Sequence, residues 1–302
     1  MQENQEPTNQ DGRMIAAPSK WQRVWTKSAQ LCMFDTPLPP LTVLPLQEIL
    51  VWNVGHPGNT RAAAQLAWLQ HQGSEVIVLS ETAQSEGCER LQEGLALAGY
   101  QVVASLPQGR EYGSIIASKS GAVPSEFVNR LDHLPYRAAS IHLQSESMEV
   151  IGVYVPSRDG KLARSDEMEA IKIARKRSFL ESFLKALAAG GAENKIICGD
   201  FNVIPRNHIP PEDEFQEWEY DFLSGLEEMN LRDTFTLHDS ERQDHSWFGY
   251  FGKRYRFDYC YVSQSITNRV LEASFYHAPR LSKLSDHSAL RIKFAAKPAQ
   301  AV

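Results

Sequence analysis

The chain has 302 residues, of which 42% are hydrophobic and 23% are charged, and its net charge is −6 at pH 7. This composition suits one large globular domain or two small ones, and it argues against a protein coated with basic residues for nucleic-acid binding. A local basic face remains compatible with it. No stretch is apolar for long enough to span a membrane, and the polar N-terminus lacks the pattern of a secretory signal, so we expect no membrane association.

The N-terminal segment is expected to lie outside the main domain. Residues 1–14 are polar and predict disorder, while the apolar positions over 21–34 predict a short helix. The proline-rich stretch that follows indicates an extended linker. We therefore expect an extension over residues 1–45, the main domain over 46–296 and a tail over 297–302.

The main domain alternates between helical and strand-like hydrophobic patterns. Apolar residues three or four apart predict helices over about 60–73, 86–98, 166–189 and 215–229. Short apolar runs predict strands at 49–53, 75–80, 112–118, 138–143, 148–155, 195–200, 256–262, 270–276 and 289–294. Because several strands follow one another without a helix, a purely parallel sheet is excluded. We expect an α/β (α+β) sandwich of mixed sheets with helices on its outer faces.

The cysteines show no spacing that indicates a disulfide framework or a metal site. They are Cys32, Cys88, Cys198 and Cys260, and the last two fall in predicted strands. Buried free thiols are the expected state, and they favour a reducing, cytoplasmic location.

Polar and ionisable side chains stand at the ends of the apolar strands. The set comprises Asn53, Glu81, Tyr154, Asp200, Asn202, Asp258, Asp286 and His287. Asp200 and Asn202 are two residues apart at a strand end and therefore point the same way. Acids, amides and a histidine gathered at strand ends are what metal-assisted phosphoester hydrolysis requires.

Each of these residues, taken alone, also has a structural interpretation. Asn53 could be a turn residue and Glu81 a helix cap, while Asp258 could form a salt bridge with Arg254 or Arg256. The repetition of the pattern at six strand ends favours a shared site.

A series of short motifs occurs in a characteristic order between residues 47 and 295. The motifs are Trp52-Asn53, Ser80-Glu81-Thr82, Tyr112 to Lys119, Tyr154-Val155-Pro156, Gly199-Asp200-Phe201-Asn202, Ser246-Trp247-Phe248, Arg256 to Tyr259 and Ser285-Asp286-His287-Ser288. In this ordered set the chain resembles the endonuclease/exonuclease/phosphatase superfamily, which has the deoxyribonuclease I-like fold. Within that superfamily it is most similar to exonuclease III and the AP endonucleases.

The resemblance implies a four-layer sandwich, two mixed β-sheets flanked by helices, with the site at one end of the sheets. It implies that Glu81 holds Mg²⁺ or Mn²⁺, with Asn53 and Asp286 near the metal. Carboxylate and amide oxygens are the hard ligands that Mg²⁺ prefers.

The resemblance also implies catalytic roles for five residues. Asp200 would orient or deprotonate the attacking water, and Asn202 and Tyr154 would donate hydrogen bonds to the phosphate. His287 would contact the scissile phosphate, with Asp258 behind it favouring the protonated imidazole.

The chain departs from the family pattern at three places that line the nucleic-acid groove in the family. It has Gly55-His56 where Gly-Leu-Arg is common, Ala83 where a lysine often follows Glu-Thr, and Ser157 where AP endonucleases tend to have asparagine. These departures bear on the substrate rather than on the chemistry.

The stretch over residues 246–255 interleaves aromatic with basic side chains, which could stack on bases and contact phosphates. The alternative is a hairpin that packs its aromatic residues on the core. For Lys172, on the long helix, the alternative is a position on a solvent-exposed helix face. The candidate substrate contacts are Trp247, Phe251, Lys253 and Arg254, together with Lys172 on the long helix.

The sequence thus predicts a Mg²⁺- or Mn²⁺-dependent phosphodiesterase that hydrolyses DNA, as repair nucleases do, with DNA as its substrate and no protein partner inferable. One alternative is a metal-dependent phosphatase or phosphodiesterase acting on a nucleotide, RNA or lipid headgroup, because one fold can host many substrates. A catalytically silent binding module is a third possibility, which the retained buried charges argue against.

Overall fold

Two β-sheets pack face to face at the centre of the protein, as the computed structural model shows. The structure describes residues 22–25, 44–158, 165–191, 194–249 and 252–297. The strands are β1 (Gln22–Trp25), β2 (Glu48–Asn53), β3 (Val76–Thr82), β4 (Gln101–Ser105), β5 (Gly113–Ser118), β6 (Ala122–Pro124), β7 (Ala138–Leu143), β8 (Met148–Tyr154), β9 (Asn194–Asp200), β10 (Leu231–Asp233), β11 (Trp247–Phe248), β12 (Arg254–Tyr255), β13 (Asp258–Ser263), β14 (Val270–Tyr276) and β15 (Ala289–Phe294).

Helices cover the outer faces of both sheets. They are α1 (Asn59–Gln72), α2 (Glu86–Leu97), α3 (Phe127–Arg130), α4 (Asp166–Ala188), α5 (Glu217–Glu228) and α6 (Ala278–Leu281), with 3₁₀ turns at Pro135–Arg137 and Gln264–Arg269. The first sheet has the strand order β1-β4-β5-β3-β2-β15-β14, and the second has the order β10-β13-β9-β8-β7-β6. Strands β11 and β12 form a separate two-stranded hairpin.

The side chains of β2 show how the sequence produces these layers. Ile49 and Val51 lie in the core between the two sheets, while Leu50 and Trp52 pack with α1 and α2 on the outer face. Successive residues of a strand point to opposite faces, so a strand covered on both sides must be apolar throughout. A second outer core joins α4 and α5 to the other sheet. The predicted four-layer sandwich is confirmed.

Each sheet contains one parallel strand pair joined through a helix. In the first sheet β2 and β3 are parallel across α1, and in the second β8 and β9 are parallel across α4. The other pairings within the two sheets are antiparallel, which confirms that the sheets are mixed. The carboxyl ends of β2, β3, β8 and β9 carry four of the predicted site residues.

The short helix predicted over residues 21–34 is wrong where the structure describes it. Residues 22–25 form β1, which pairs antiparallel with β4 in the register Gln22 to Ser105. The rest of that predicted helix, the disordered start, the proline-rich linker and the end of the tail lie outside the described residues. The domain boundary at residue 45 stays a prediction.

Three cysteines lie within the described ranges, and all three are buried free thiols, as predicted. Cys198 and Cys260 face each other across β9 and β13. No helix within these ranges has the length and apolar character needed to cross a membrane.

Candidate active site

The side-chain amide of Asn53 joins the two sheets at the end where the predicted site residues meet. Its Nδ2 atom donates to Oε2 of Glu81 at 3.0 Å and to Oδ2 of Asp200 at 2.8 Å. Glu81 belongs to the first sheet and Asp200 to the second. One buried amide therefore brings together two carboxylates that are 119 residues apart in the sequence (200 − 81).

A β-bulge positions Glu81. The register between β3 and β5 shifts between Ser80 and Thr82, and Glu81 has a φ of 55°. A bulge turns a side chain that regular pairing would direct elsewhere, and such features are common beside active sites. The carboxylate points towards Asn53 and keeps some exposure, with 18% of its side chain accessible.

His56 contacts the second oxygen of the Glu81 carboxylate. Its Nδ1 atom lies 2.8 Å from Oε1 of Glu81, and its backbone N–H donates to the Glu81 carbonyl oxygen, also at 2.8 Å. The imidazole packs against Tyr112, with ring centroids 4.8 Å apart. The sequence singled out His56 only as a departure from the family pattern, and the structure places it directly against the predicted metal ligand.

Asp200 is buried at the end of β9, with 1% of its surface exposed. Its Oδ1 accepts from the backbone N–H of Asn202 at 2.8 Å. Burial raises the pKa of Asp200 to about 7; the Asp258 carboxylate also raises it, and His287 opposes the rise. The preceding residue, Gly199, lets β9 pair closely with β8. A Cβ at this position would lie 2.0 Å from the Val153 carbonyl oxygen.

Asp258 and His287 form a buried carboxylate–imidazole pair. Nδ1 of His287 donates to Oδ2 of Asp258 at 2.7 Å, and Nε2 lies 3.9 Å from Oδ2 of Asp200. Burial lowers the pKa of His287, but the charges of Asp258, Asp200 and Asp286 outweigh it and raise the pKa to about 10. His287 is therefore an imidazolium at neutral pH.

The alternative partner of Asp258, a salt bridge to a nearby arginine, is not what the structure shows. Arg256 instead pairs with Asp233 at 2.5 Å. Strand pairing places Asp258 opposite Asp200, on the site side of the sheet. Asp258 is thus committed to His287 rather than to the salt bridge considered from sequence.

Tyr154 is buried beneath the same end of the sheets, with 7% of its surface exposed. The Arg137 guanidinium carbon lies 5.1 Å from the centre of its ring, and Tyr112 packs edge-on at 6.0 Å. Burial, together with the charges of Glu81 and Asp200, raises the pKa of Tyr154 well above its ordinary value. The hydroxyl therefore stays protonated, and as a neutral group it can donate a hydrogen bond to a ligand or accept one from it.

Asp286 lies at the exposed edge of the site and is held by Trp247. The indole N–H of Trp247 donates to Oδ2 of Asp286 at 2.9 Å. The Trp247 ring stacks on Tyr255 at 5.5 Å and packs against Phe257 at 5.6 Å. Trp247 therefore positions a site residue from within an aromatic cluster, and its predicted contact with substrate stays a prediction.

Asn202 completes the group, and Lys176 holds it in place. The Asn202 side-chain amide donates to the Val155 carbonyl oxygen at 3.0 Å, and its backbone has a φ of 49°. Nζ of Lys176 donates to the Asn202 carbonyl oxygen at 2.6 Å and to Oε1 of Glu219 at 2.5 Å. Burial lowers the pKa of Lys176, and the charge of Glu219 opposes that fall.

Lys176, which the sequence did not single out, contacts this site residue, whereas the substrate contact predicted for Lys172 stays a prediction. Both lie on α4, where Lys172 is partly exposed and Lys176 is buried. Lys176 shares its helix face with the core residues Phe179 and Phe183, which follow at intervals of three and seven residues. That helical spacing was a signal in the sequence that could have identified it.

The structure gives different environments to the remaining predicted substrate contacts. Lys253 pairs with Glu214 at 2.5 Å, so its charge is already matched. Arg254 is exposed, with its guanidinium carbon 5.3 Å from the centre of the Phe248 ring. Phe251 lies outside the described residues.

Arg61, which sequence reasoning missed, supplies a guanidinium to the loop after Asn53. It lies in the first turn of α1 and donates to the Gly55 carbonyl oxygen. Although the chain lacks the Gly-Leu-Arg pattern, this loop is therefore still contacted by an arginine.

The donor set fits a hard divalent cation. Glu81 is partly accessible, and Asp286 lies at the exposed edge of a site whose one imidazolium faces several carboxylates. Mg²⁺ needs only one or two protein carboxylates, because waters complete its octahedral shell. Within the described ranges, no three His, Cys, Asp or Glu side chains converge as an all-protein cage.

Comparisons with known proteins agree with this architecture. The model of the Endonuclease/Exonuclease/phosphatase family matches residues 50–287, whereas no curated protein matches the sequence significantly. An AP endonuclease from Archaeoglobus fulgidus superposes with a TM-score of 0.68 at 22% identity, covering 83% of this chain and all of that one.

Two Neisseria structures are also similar. A 3′ phosphatase bound to a product DNA hairpin has a TM-score of 0.65 at 20% identity, covering 82% of this chain and 99% of its own. A 3′–5′ exonuclease from Neisseria meningitidis has the same TM-score and coverage at 22% identity. At these identities the structures establish the shared fold. With the family model matching most of its length, the chain belongs to the endonuclease/exonuclease/phosphatase family, a family of hydrolytic nucleases and phosphatases.

Proposed function

We propose that this protein hydrolyses phosphodiester bonds in DNA and that Mg²⁺ or Mn²⁺ binds at Glu81, near Asn53 and Asp286. The observation that carries the proposal is that Glu81 and Asp200 both contact the amide of Asn53, while His287 lies 3.9 Å from Asp200. A buried carboxylate with a raised pKa, beside an imidazolium, is suited to general-base chemistry on an anionic substrate.

Each residue of the site has a separate role in the proposed phosphoryl transfer. Asp200 orients the attacking water and takes its proton, while His287 and Tyr154 donate hydrogen bonds to phosphate oxygens. Asn202 lies beside them, fixed by Lys176. The bound cation would neutralise charge on the phosphoryl oxygens.

The bond changes follow from these roles. The water oxygen bonds to phosphorus in line with the leaving oxygen, and the bond between phosphorus and the 3′ oxygen breaks. The attacking water gives one proton to Asp200, and the leaving 3′ oxygen takes a proton from bulk water to become a 3′-hydroxyl. Asp200 then returns its proton to the solvent. The other product carries a 5′-phosphate.

DNA is favoured as the substrate by the similar structures, which are named an AP endonuclease, a 3′ phosphatase bound to product DNA and an exonuclease. A phosphatase or phosphodiesterase acting on another substrate is the second candidate, because His56 and Ser157 depart from the pattern of the family's nucleases. The cytoplasmic location stays a prediction from the cysteines.

The test is cleavage of labelled duplex oligonucleotides, one intact and one with a single abasic site, in Mg²⁺, in Mn²⁺ and in EDTA. We expect metal-dependent incision that is lost in the Asp200→Asn variant. Products ending within the strand would identify abasic-site incision, and ladders from an end would identify exonuclease action. A folded wild-type protein that cleaves neither duplex but hydrolyses nucleotides or RNA would favour the second candidate.

A further inference from the structure

Two arginines contact one aromatic ring beside the site. The Phe248 ring, at the end of β11, has the guanidinium carbon of Arg280 3.5 Å from its centre and that of Arg254 at 5.3 Å. We call Phe248, Arg254 and Arg280 the arginine–phenylalanine cluster. Phe248 is partly buried, and Arg254 is exposed.

Hydrogen bonds anchor Arg280 to Ser288, which lies between His287 and the start of β15. Nε of Arg280 donates to Oγ of Ser288 at 3.2 Å, and Nδ1 of His277 lies 2.9 Å from the same oxygen. The backbone N–H of Ser288 donates to the Ser246 carbonyl oxygen at 2.7 Å. Because Ser288 directly follows His287, Arg280 is fixed close to the residue proposed to contact the scissile phosphate.

The charges in this cluster lack acidic partners at salt-bridge distance. Among the described residues, neither Arg254 nor Arg280 has a carboxylate oxygen within 4.0 Å; the acid that acts on Arg280 from further away is Asp244, which itself lies 3.4 Å from His277. Neighbouring cations are paired, such as Lys253 with Glu214 and Arg256 with Asp233. Two guanidinium groups without a carboxylate in direct contact, beside the site and in a protein of net charge −6, favour an anionic ligand as their partner.

We propose that Arg280, stacked on Phe248 and assisted by Arg254, binds the phosphate that adjoins the scissile phosphate on the cleaved strand. This inference rests on the proposed function and deepens it. Stacking on Phe248 holds the guanidinium and Ser288 occupies Nε, so the terminal Nη1 and Nη2 atoms are the donors that remain for a bidentate phosphate contact.

The proposal selects a substrate class. A polynucleotide strand presents a second phosphate next to the one that reacts, whereas a mononucleotide or a lipid headgroup with one phosphate does not. Arg280 therefore favours a nucleic-acid strand over the non-polymeric substrates of the alternative function.

The test measures binding of a fluorescent duplex by anisotropy, in the Asp200→Asn background so that the strand stays intact. We expect Arg280→Gln to weaken binding about tenfold and to reduce the slope of log Kd against log salt by about one. Arg206→Gln is the matched control, because Arg206 is exposed but already pairs with Glu217 and Asp221. It should leave the slope unchanged.

A chemical substitution in the DNA then locates the contact. A neutral methylphosphonate replaces the phosphate on the 5′ or the 3′ side of the cleavage position, in separate duplexes. At one of these positions, Arg280→Gln and the methylphosphonate should each weaken binding, and together they should weaken it no further. Arg280→Lys, which keeps the charge without the planar fork, should retain most of the salt slope.

The outcomes distinguish failure of the Arg280 subsite from failure of the proposed function. Tight duplex binding with independent, additive losses at both positions would overturn the Arg280 subsite and leave the proposed function standing. A folded protein that binds no duplex even at low salt would overturn both. An equal loss of slope in Arg206→Gln would also contradict the subsite, because it would show a general charge effect.

Discussion

The Nε2 atom of His287 lies 3.9 Å from the Oδ2 atom of Asp200, while Nδ1 of the same ring is bonded to Asp258 at 2.7 Å. The longer distance exceeds the range of a hydrogen bond, but two opposite charges so close in a buried site still interact strongly. The imidazolium is therefore held by one carboxylate and only influenced by the other. This asymmetry supports the proposed roles of Asp200 as the base and His287 as the cation.

Replacing Asp200 by Asn should lower the hydrolysis rate by about 10³-fold, in the range typical of a lost general base. The amide keeps the size of the side chain but cannot take the proton of the attacking water. It also opposes the Nδ2 donor of Asn53, so a modest loss of thermal stability is expected. Rate measurements beside a melting curve check this, and retained turnover would assign the base elsewhere.

Replacing Asp258 by Asn should lower the pKa of His287 from about 10 towards its ordinary value of 6.5. Because the folded-state pKa is raised, the pairing stabilises the protein fully below about pH 6.5, and this stabilisation is lost as pH rises towards about 10. The variant should therefore lose most stability at acid and neutral pH and least near pH 10. NMR titration of the His287 ring gives the pKa directly, and an unchanged value would contradict the assigned pair.

Replacing Glu81 by Gln should weaken direct binding of Mg²⁺ or Mn²⁺ by about 100-fold or more, measured by titration calorimetry without substrate. His56→Ala should weaken it by about tenfold, because it removes a hydrogen-bond partner of the ligand rather than the ligand itself. Glu93→Gln, on the exposed face of α2, is the control. Equal metal affinity in all four proteins would place the cation at another site.

Replacing Lys176 by Met should destabilise the fold by about 2–3 kcal/mol, because the buried Glu219 carboxylate loses this partner and keeps Arg158. Turnover should fall as well, since the Asn202 carbonyl oxygen loses its donor. Urea unfolding measures the first effect. Lys185→Met is the contrasting case, because Lys185 is 75% exposed in its pair with Asp132, and its effect should be far smaller.

Adding Glu219→Gln to the Lys176 variant should not restore the lost stability, because Glu219 also pairs with Arg158 at 2.9 Å and the amide would remove that charge pair as well. If the single Lys176 variant proved as stable as the wild type, the buried pair would not support the Asn202 loop.

The sequence predicted the fold because most strands of the two sheets are covered on both faces and read as continuous apolar runs. It failed at β1, where four residues, two of them polar or charged, take strand form only through pairing with β4. The local pattern there carries no information about a partner that lies 83 residues away, as Ser105 does from Gln22 (105 − 22). Short strands of this kind depend on tertiary contacts rather than on propensity.

The residues of the site were more predictable than their partners. Strand ends marked Asn53 and Asp200, but the bond between them depends on how two sheets pack. Likewise, Asp258 could have paired with an arginine, and only the register of β13 against β9 shows that it faces the site. The contact of Lys176 with Asn202 depends on the rotation of α4, which its buried phenylalanines fix.

The left-handed backbone at His56, Glu81 and Asn202 has a consequence for engineering this protein. None of the three is glycine, and each holds a conformation that costs a side-chain-bearing residue about 1–2 kcal/mol. A glycine at any of them would relieve that cost while removing a group from the site. A search for heat-resistant variants will therefore tend to select inactive ones here, and directed evolution should fix these three codons before it begins.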